Sequence, residues 1–217
     1  MKSTSDFYER QTLLLKDRQK NLENKEIIII GAGGLGSSIA YALASSGIKS
    51  ISVVDFDIVS FSNIQRQIMF NFNDEGKAKV DCFNKLKERS FCDIKTYKMS
   101  AAEFFATKPS ADLIMDATDN LSVRAEIDNY AKANNIPWIF ASVEEFFISA
   151  SIVKNKKIAF KNEIKRIKPQ ATPFVMFSAT FASILALKYL AGYEVKLDYL
   201  YYFDFSKDIL NLNKFNL

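Results

Sequence analysis

Residues 26 to 55 confine the fold more than any other stretch of the chain. "EIIII" (26–30) is a β-branched apolar run, hence a buried strand. "GAGGLG" follows, then "LGSSIAYALASSG", which reads as a helix stopped by Gly47. "ISVVD" (51–55) is a second buried strand. Strand, glycine turn, helix and strand within about 30 residues make a βαβ unit.

The alternation continues. The pattern predicts a polar helix over 4–24 carrying Leu13, Leu14 and Leu15, and a helix over 76–89. Strands are predicted at 93–98, within 111–120 and at 136–142, with an amphipathic helix from Leu121 to Asn135. Residues 146–160 read as a hairpin turning at "KNKK", 174–191 as an apolar helix, and 200–215 as a hairpin turning at "SKD". The expected fold is α/β: a Rossmann-like, mostly parallel sheet with helices on both faces, extended by antiparallel C-terminal strands. One domain over 1–217 is expected, with an N-terminal helix (4–24), a nucleotide-binding core (25–142) and a C-terminal part (143–217).

The loop Gly31-Ala32-Gly33-Gly34-Leu35-Gly36 matches G-x-G-x-x-G between a strand and a helix. Glycines let the backbone turn and approach phosphates, and the helix start offers free N–H donors. Asp55 ends the second strand about 20 residues on, where an acid accepts hydrogen bonds from ribose hydroxyls. By itself this pattern favours NAD over ATP, and a glycine turn needed only for packing also accounts for it. Asp57 reads equally as a helix cap or a solvated acid.

Composition removes other chemistries. The chain has no histidine, so no His-based triad, imidazole base or His-ligated metal can be built. Cys82 and Cys92 form no CxxC pair, and read as ordinary thiols. A net charge of +4 is spread along the chain, which argues against a nucleic-acid partner. "MKSTSDFYERQ" lacks the apolar core of a signal peptide, and the nearly uncharged stretch 174–187 is short for a membrane span. A soluble cytoplasmic protein without a membrane partner is expected.

Further motifs carry a resemblance. "DFDIVSFSNIQRQ" (55–67) resembles the "DxDxVxxSNLQRQ" signature of the ThiF/MoeB family, bacterial relatives of ubiquitin-activating enzymes. "GAGGLGS" matches the family's glycine loop, "GKAK" (76–79) its phosphate-lysine segment, "DATDN" (116–120) its "DCTDN", and "FYERQ" (7–11) is similar to its "RYxRQ". The resemblance implies adenylation of the C-terminal carboxylate of a small ubiquitin-like sulfur carrier ending in Gly-Gly. The carboxylate attacks the α-phosphate of ATP and pyrophosphate leaves. It implies Arg66 and Lys79 as phosphate clamps and Asp119 as the carboxylate placing Mg²⁺, with Asn120 beside it. Asn63 and Gln65 become nucleotide-loop contacts. Arg10 becomes an arginine lent across a homodimer. Taken singly, Arg66 also fits an ion pair with Asp57, Lys79 a lysine on a charged helix, Arg10 a solvated arginine, and Asp119-Asn120 a helix cap.

The chain departs from the family in its cysteines. Many members bind zinc through two CxxC pairs; here no cysteine falls at "IAFKNE" (158–163), and the second pair is expected beyond Leu217, so no zinc is expected. "KRIKPQATP" (165–173) lacks the crossover-loop cysteine that takes the activated carrier covalently. The implied enzyme therefore stops at the acyl-adenylate, in thiamine, molybdenum-cofactor or other thiolation chemistry. The alternatives are an NAD-dependent oxidoreductase and a non-catalytic partner subunit.

Overall fold

The computed structural model describes residues 3–156, 169–207 and 211–217. Among these residues eight strands form one sheet: β1 (Glu26–Ile30), β2 (Ser50–Val54), β3 (Asp93–Tyr97), β4 (Leu113–Asp116), β5 (Trp138–Glu144), β6 (Phe147–Val153), β7 (Tyr199–Asp204) and β8 (Asn211–Asn216). Their order is β3-β2-β1-β4-β5-β6-β7-β8. The first five run parallel, and β6, β7 and β8 continue the sheet antiparallel. The expected mostly parallel sheet with an antiparallel C-terminal extension is what the chain forms.

Register places the site. Ile30 lies opposite Val54 on one side and Asp116 on the other. The segments beginning at Gly31, Asp55 and Ala117 therefore leave the sheet side by side. Chain order reverses between β1 and β4, so a crevice opens there above the carboxyl ends of the strands.

Side chains alternate across the sheet, and both faces are covered. Ile27 and Ile29 pack in a core with helices α3 (Gly34–Ala44) and α7 (Thr172–Leu190). Ile28 and Ile30 pack on the other side with α5 (Ala101–Ala106) and α6 (Leu121–Ala133). That is why four consecutive isoleucines are all buried, each contributing roughly 1.5–3 kcal/mol.

Several predicted elements differ. The single helix over 4–24 is three pieces: α1 (Thr4–Phe7), α2 (Glu9–Leu15) and a 3-10 segment, Lys16–Leu22. Tyr8 breaks it first, and Lys16 ends α2 at φ 52°. Leu15 and Leu22 anchor this strap, while Leu13 and Leu14 are exposed. The helix over 76–89 begins only at Val80, and as a 3-10 helix to Glu88. Val59 accepts the Gly76 N–H and donates its own to Lys77, so the preceding residues form a bridge between Ile58 and Ala78 instead. Helix α5 was missing from the pattern, although Ser100 and Glu103 form a capping box at its start.

The hairpin read over 146–160 is displaced. Its first arm is β6, but β6 pairs with β5 across a tight turn at Glu145-Phe146. The proposed second arm, 158–160, lies outside the described residues. So do 158–163 as a whole, 165–168 of the segment 165–173, and Asp208 of the last hairpin turn. Helix α7 has 19 residues, long and apolar enough to cross a membrane by length and composition, contrary to the shorter stretch read from sequence. Its apolarity has a local use: Val175, Ala179, Ala182, Ala186 and Leu190 are buried in the core shared with α3 and the sheet.

Candidate active site

A cavity of about 1220 Å³ fills the crevice between β1 and β4. Its floor is the glycine loop and the start of α3. Gly31 takes φ 98°, and a Cβ there would stand 2.8 Å from the Ala117 carbonyl oxygen. A Cβ on Gly36 would lie only 1.9 Å from the Gly31 carbonyl oxygen, so only glycine lets the helix close onto the turn. Above Gly33 the fold leaves room: the nearest atom to an added Cβ is Gln67 Nε2 at 3.6 Å.

Asp55 fastens this floor to the next loop. Its Oδ2 accepts the Ala32 N–H at 2.6 Å and its Oδ1 accepts the Asp57 N–H at 2.8 Å. A carboxylate has about four acceptor sites, so these two bonds leave about two open. Asp55 is half-buried and lines the cavity.

The loop after Asp55 forms one wall. Ser60 and Asn63 bracket a short helix, α4 (Phe61–Ile64), with Asn63 Oδ1 accepting the Ser60 N–H at 3.3 Å. Arg66 donates from Nη1 to the Ser62 carbonyl at 3.0 Å and from Nε to Gln170 Oε1 at 3.1 Å. Gln170 in turn donates to the Val143 carbonyl at 3.3 Å, which ties the wall to β5. Lys79 pairs with Asp57 at 2.9 Å; the lysine is almost wholly buried and the acid half exposed. The ion pair considered for Asp57 is therefore made by Lys79, and Arg66 bonds elsewhere.

The opposite wall is the β4–α6 loop. Asn120 caps α6, its Oδ1 accepting from the N–H groups of Ser122 and Val123 at 2.9 and 3.3 Å. Asp119 stands just before the cap, exposed toward the cavity. Beneath them Asp116 is fully buried, and Arg124 Nε donates to its Oδ2 at 2.5 Å. Thr118 donates to Asp116 Oδ1 through both its N–H (2.9 Å) and its hydroxyl (2.7 Å).

The cavity thus brings together Gly31, Gly33, Gly34, Asp55, Asn63, Arg66, Lys79, Asp119 and Asn120. Gly36 lies behind it, under the turn. Gln65 and Arg10 do not line it. Gln65 faces Thr172 Oγ1, 3.4 Å from its side-chain oxygen, and Arg10 is exposed on α2. Sequence reasoning missed Gln67, Arg124 and Gln170, which do line it. Gln67 stood inside the "SNIQRQ" stretch; Arg124 is eight residues after Asp116, a spacing that gives no sign of the partnership.

Neither cysteine lines the cavity. Cys82 and Cys92 are buried. Burial pushes the Cys82 thiol up, and burial together with the charge of Asp93 pushes Cys92 up to about 12.

Known proteins share this sequence and this fold. The chain is 33% identical over 143 residues to the probable adenylyltransferase/sulfurtransferase MoeZ of Mycobacterium tuberculosis, covering 63% of this chain and 36% of MoeZ. It is 33% identical to the molybdopterin-synthase adenylyltransferase of Escherichia coli (61% of this chain, 56% of the relative). It is 34% identical to the sulfur carrier protein ThiS adenylyltransferase of the same organism (64% and 58%). The chain spans little more than half the length of the two E. coli relatives, and less of MoeZ. Among solved structures, E. coli MccB superposes with a TM-score of 0.84 at 21% identity, covering 99% of this chain and 70% of MccB. PaaA gives 0.82 at 22% identity, covering 99% of this chain and 76% of PaaA. The ThiF family model matches residues 8–209, nearly the whole chain, which is therefore a member of the ThiF family.

Proposed function

We propose that this chain is an ATP-dependent adenylyltransferase. It activates the C-terminal carboxylate of a small ubiquitin-like sulfur carrier ending in Gly-Gly, forming an acyl-adenylate and releasing pyrophosphate. One observation carries the reading: a single cavity joins the glycine loop and Asp55 to Arg66, Lys79 and Asp119. A nicotinamide dinucleotide has use for the first two alone. The relatives' names, adenylyltransferases of molybdopterin synthase and of ThiS, support it.

The residues divide the work. Loop N–H groups and the start of α3 receive phosphate oxygens. Asp55 accepts ribose hydroxyls. A carboxylate attacking a phosphate brings two anions together, so fixed cations lower the barrier. Arg66 is held in place by Ser62 and Gln170 before any ligand arrives. Lys79 exchanges Asp57 for a phosphate oxygen, and the half-exposed Asp57 is left to solvent. Mg²⁺ takes few protein ligands beside phosphates and waters. One carboxylate, Asp119, fits that demand, and the ion would neutralise the departing pyrophosphate. The burial and raised pKa of both cysteines support a reaction without a covalent cysteine step. In a homodimer, Arg10 would serve the cavity of the second copy.

The test is exchange of labelled pyrophosphate into ATP, stimulated by a ThiS-type carrier ending in Gly-Gly. Arg66→Ala and Asp119→Ala are each expected to lower it by about 10²-fold or more. Unchanged exchange in both would sink the site assignment. Tight NAD binding with no carrier-stimulated exchange would favour the oxidoreductase instead.

A further inference from the structure

Gln67 is a buried carboxamide for which the described residues supply no partner. Its side chain is 5% exposed and lines the cavity. Its Oε1 is buried without a hydrogen-bond partner among the described residues. Its backbone is fixed, with N–H to the Asn63 carbonyl at 3.1 Å and carbonyl accepting from Phe70 at 3.0 Å. The side chain is therefore held in place without being satisfied there. A buried amide left unpaired costs stability that an apolar side chain of similar length would not. The fold gains nothing from a glutamine at this position, so its use lies with a ligand.

Position says which ligand. Nε2 lies over Gly33, 3.6 Å from where a Cβ would be, at the first turn of α3. Gly31 and Gly36 are glycine because backbone crowds them; above Gly33 there is space that packing leaves unused. A helix start and a carboxamide N–H converge on that space, and both seek an acceptor. The space suits an oxygen of a phosphate seated on the glycine loop.

We propose that Gln67 is a catalytic residue of the adenylation reaction, donating from its carboxamide to a non-bridging oxygen of the α-phosphate as charge builds there during carboxylate attack. This rests on the adenylyltransferase reading above. Arg66 and Lys79 supply charge; Gln67 supplies a neutral, fixed donor of the oxyanion-hole kind.

The experiment compares Gln67→Leu and Gln67→Met with the unaltered full chain. Carrier-stimulated pyrophosphate exchange is expected to lose about 10²-fold in kcat, with the Kd for ATP within about threefold. The ligand-free variants are expected to melt at the same temperature or about 2–4 °C higher, because an unpaired amide has been removed. A kcat within threefold of the unaltered chain would overturn the role. So would a loss of ATP affinity that accounts for the whole effect, or a Tm several degrees lower in both variants. An unaltered chain that shows no carrier-stimulated exchange overturns adenylation itself and this role with it; an active one beside unimpaired variants overturns only the role of Gln67.

Discussion

Arg124 and Asp116 form a buried ion pair under the β4–α6 loop, with Nε 2.5 Å from Oδ2 and almost no solvent at either side chain. The same guanidinium donates to the Thr118 carbonyl at 3.2 Å and reaches the Ala141 carbonyl at 3.5 Å. It thus joins β4, β5 and the turn that presents Asp119. Arg124→Met strands the Asp116 carboxylate in the core and is expected to cost about 3–5 kcal/mol in urea unfolding. Arg124→Lys keeps the charge but loses the fork of donors, and is expected to recover only part of it. A loss under about 1 kcal/mol for the methionine variant would show that the pair does not hold this loop.

Two glycines of one loop are expected to fail differently. Gly36→Ala drives a methyl to within 1.9 Å of the Gly31 carbonyl oxygen, closer than any side chain tolerates. Overpacking of this sort costs about 1–3 kcal/mol or more, so Tm falls. Gly33→Ala meets only ordinary contact, so Tm holds while the methyl occupies ligand space and ATP binding drops. Calorimetry of both variants with and without ATP separates the outcomes. Equal Tm losses would contradict the assignment of Gly33 to the ligand.

Acid stability depends on Asp74. Burial alone would raise its pKa, but hydrogen bonds from Lys85, the Asn71 N–H and Lys77 outweigh burial and hold it below the ordinary value. A depressed carboxylate stabilises the fold fully above its unfolded pKa, about 3.9, and loses that contribution as pH falls through the folded value. Asp74→Asn is expected to cost about 2 kcal/mol at pH 7, and the gap from the unaltered chain should close below pH 4. Urea midpoints measured from pH 7 to pH 2.5 check both sign and window. A gap that widens in acid would reverse the argument.

Arg10 gives the homodimer a direct test. If it completes the cavity of a second copy, Arg10→Ala and Arg66→Ala are each inactive alone. Mixed and re-equilibrated, they form a hybrid with one intact site, and pyrophosphate exchange returns to about a quarter of normal under random pairing. No recovery in a mixture shown to exchange subunits would place Arg10 outside the reaction.

Much of this was legible in sequence because it is local. Four isoleucines, a glycine turn and Asp55 define β1, α3 and β2 within one stretch, and Ile30, Val54 and Asp116 each end a readable apolar run. What escaped is set by distant partners. Val59 turns residues 76–79 into a bridge, so a helical pattern starts late. Gln170 meets Arg66 from more than a hundred residues away. Asp119 and Asn120 both line the cavity, and Asn120 also caps α6, a helix-start signal that its sequence position already carried. Gln67 was visible as a letter, but only burial shows that it lacks a partner.

The switch of the sheet from parallel to antiparallel at β5 also sets a timetable. β5 and β6 meet across a two-residue turn, the kind of closure that takes about 1–10 μs. β1 meets its nearest partner, β2, only across the α3 crossover, with Ile27 paired to Ile51. It meets β4 across a much longer separation, with Ile27 paired to Leu113, so its pairings cost more loop entropy. The antiparallel hairpin is therefore expected to gain protection first, and the crevice between β1 and β4 last. Pulse-labelled hydrogen exchange during refolding should find β6 amides protected before those of β1; the opposite order would locate the folding nucleus in the glycine-loop half.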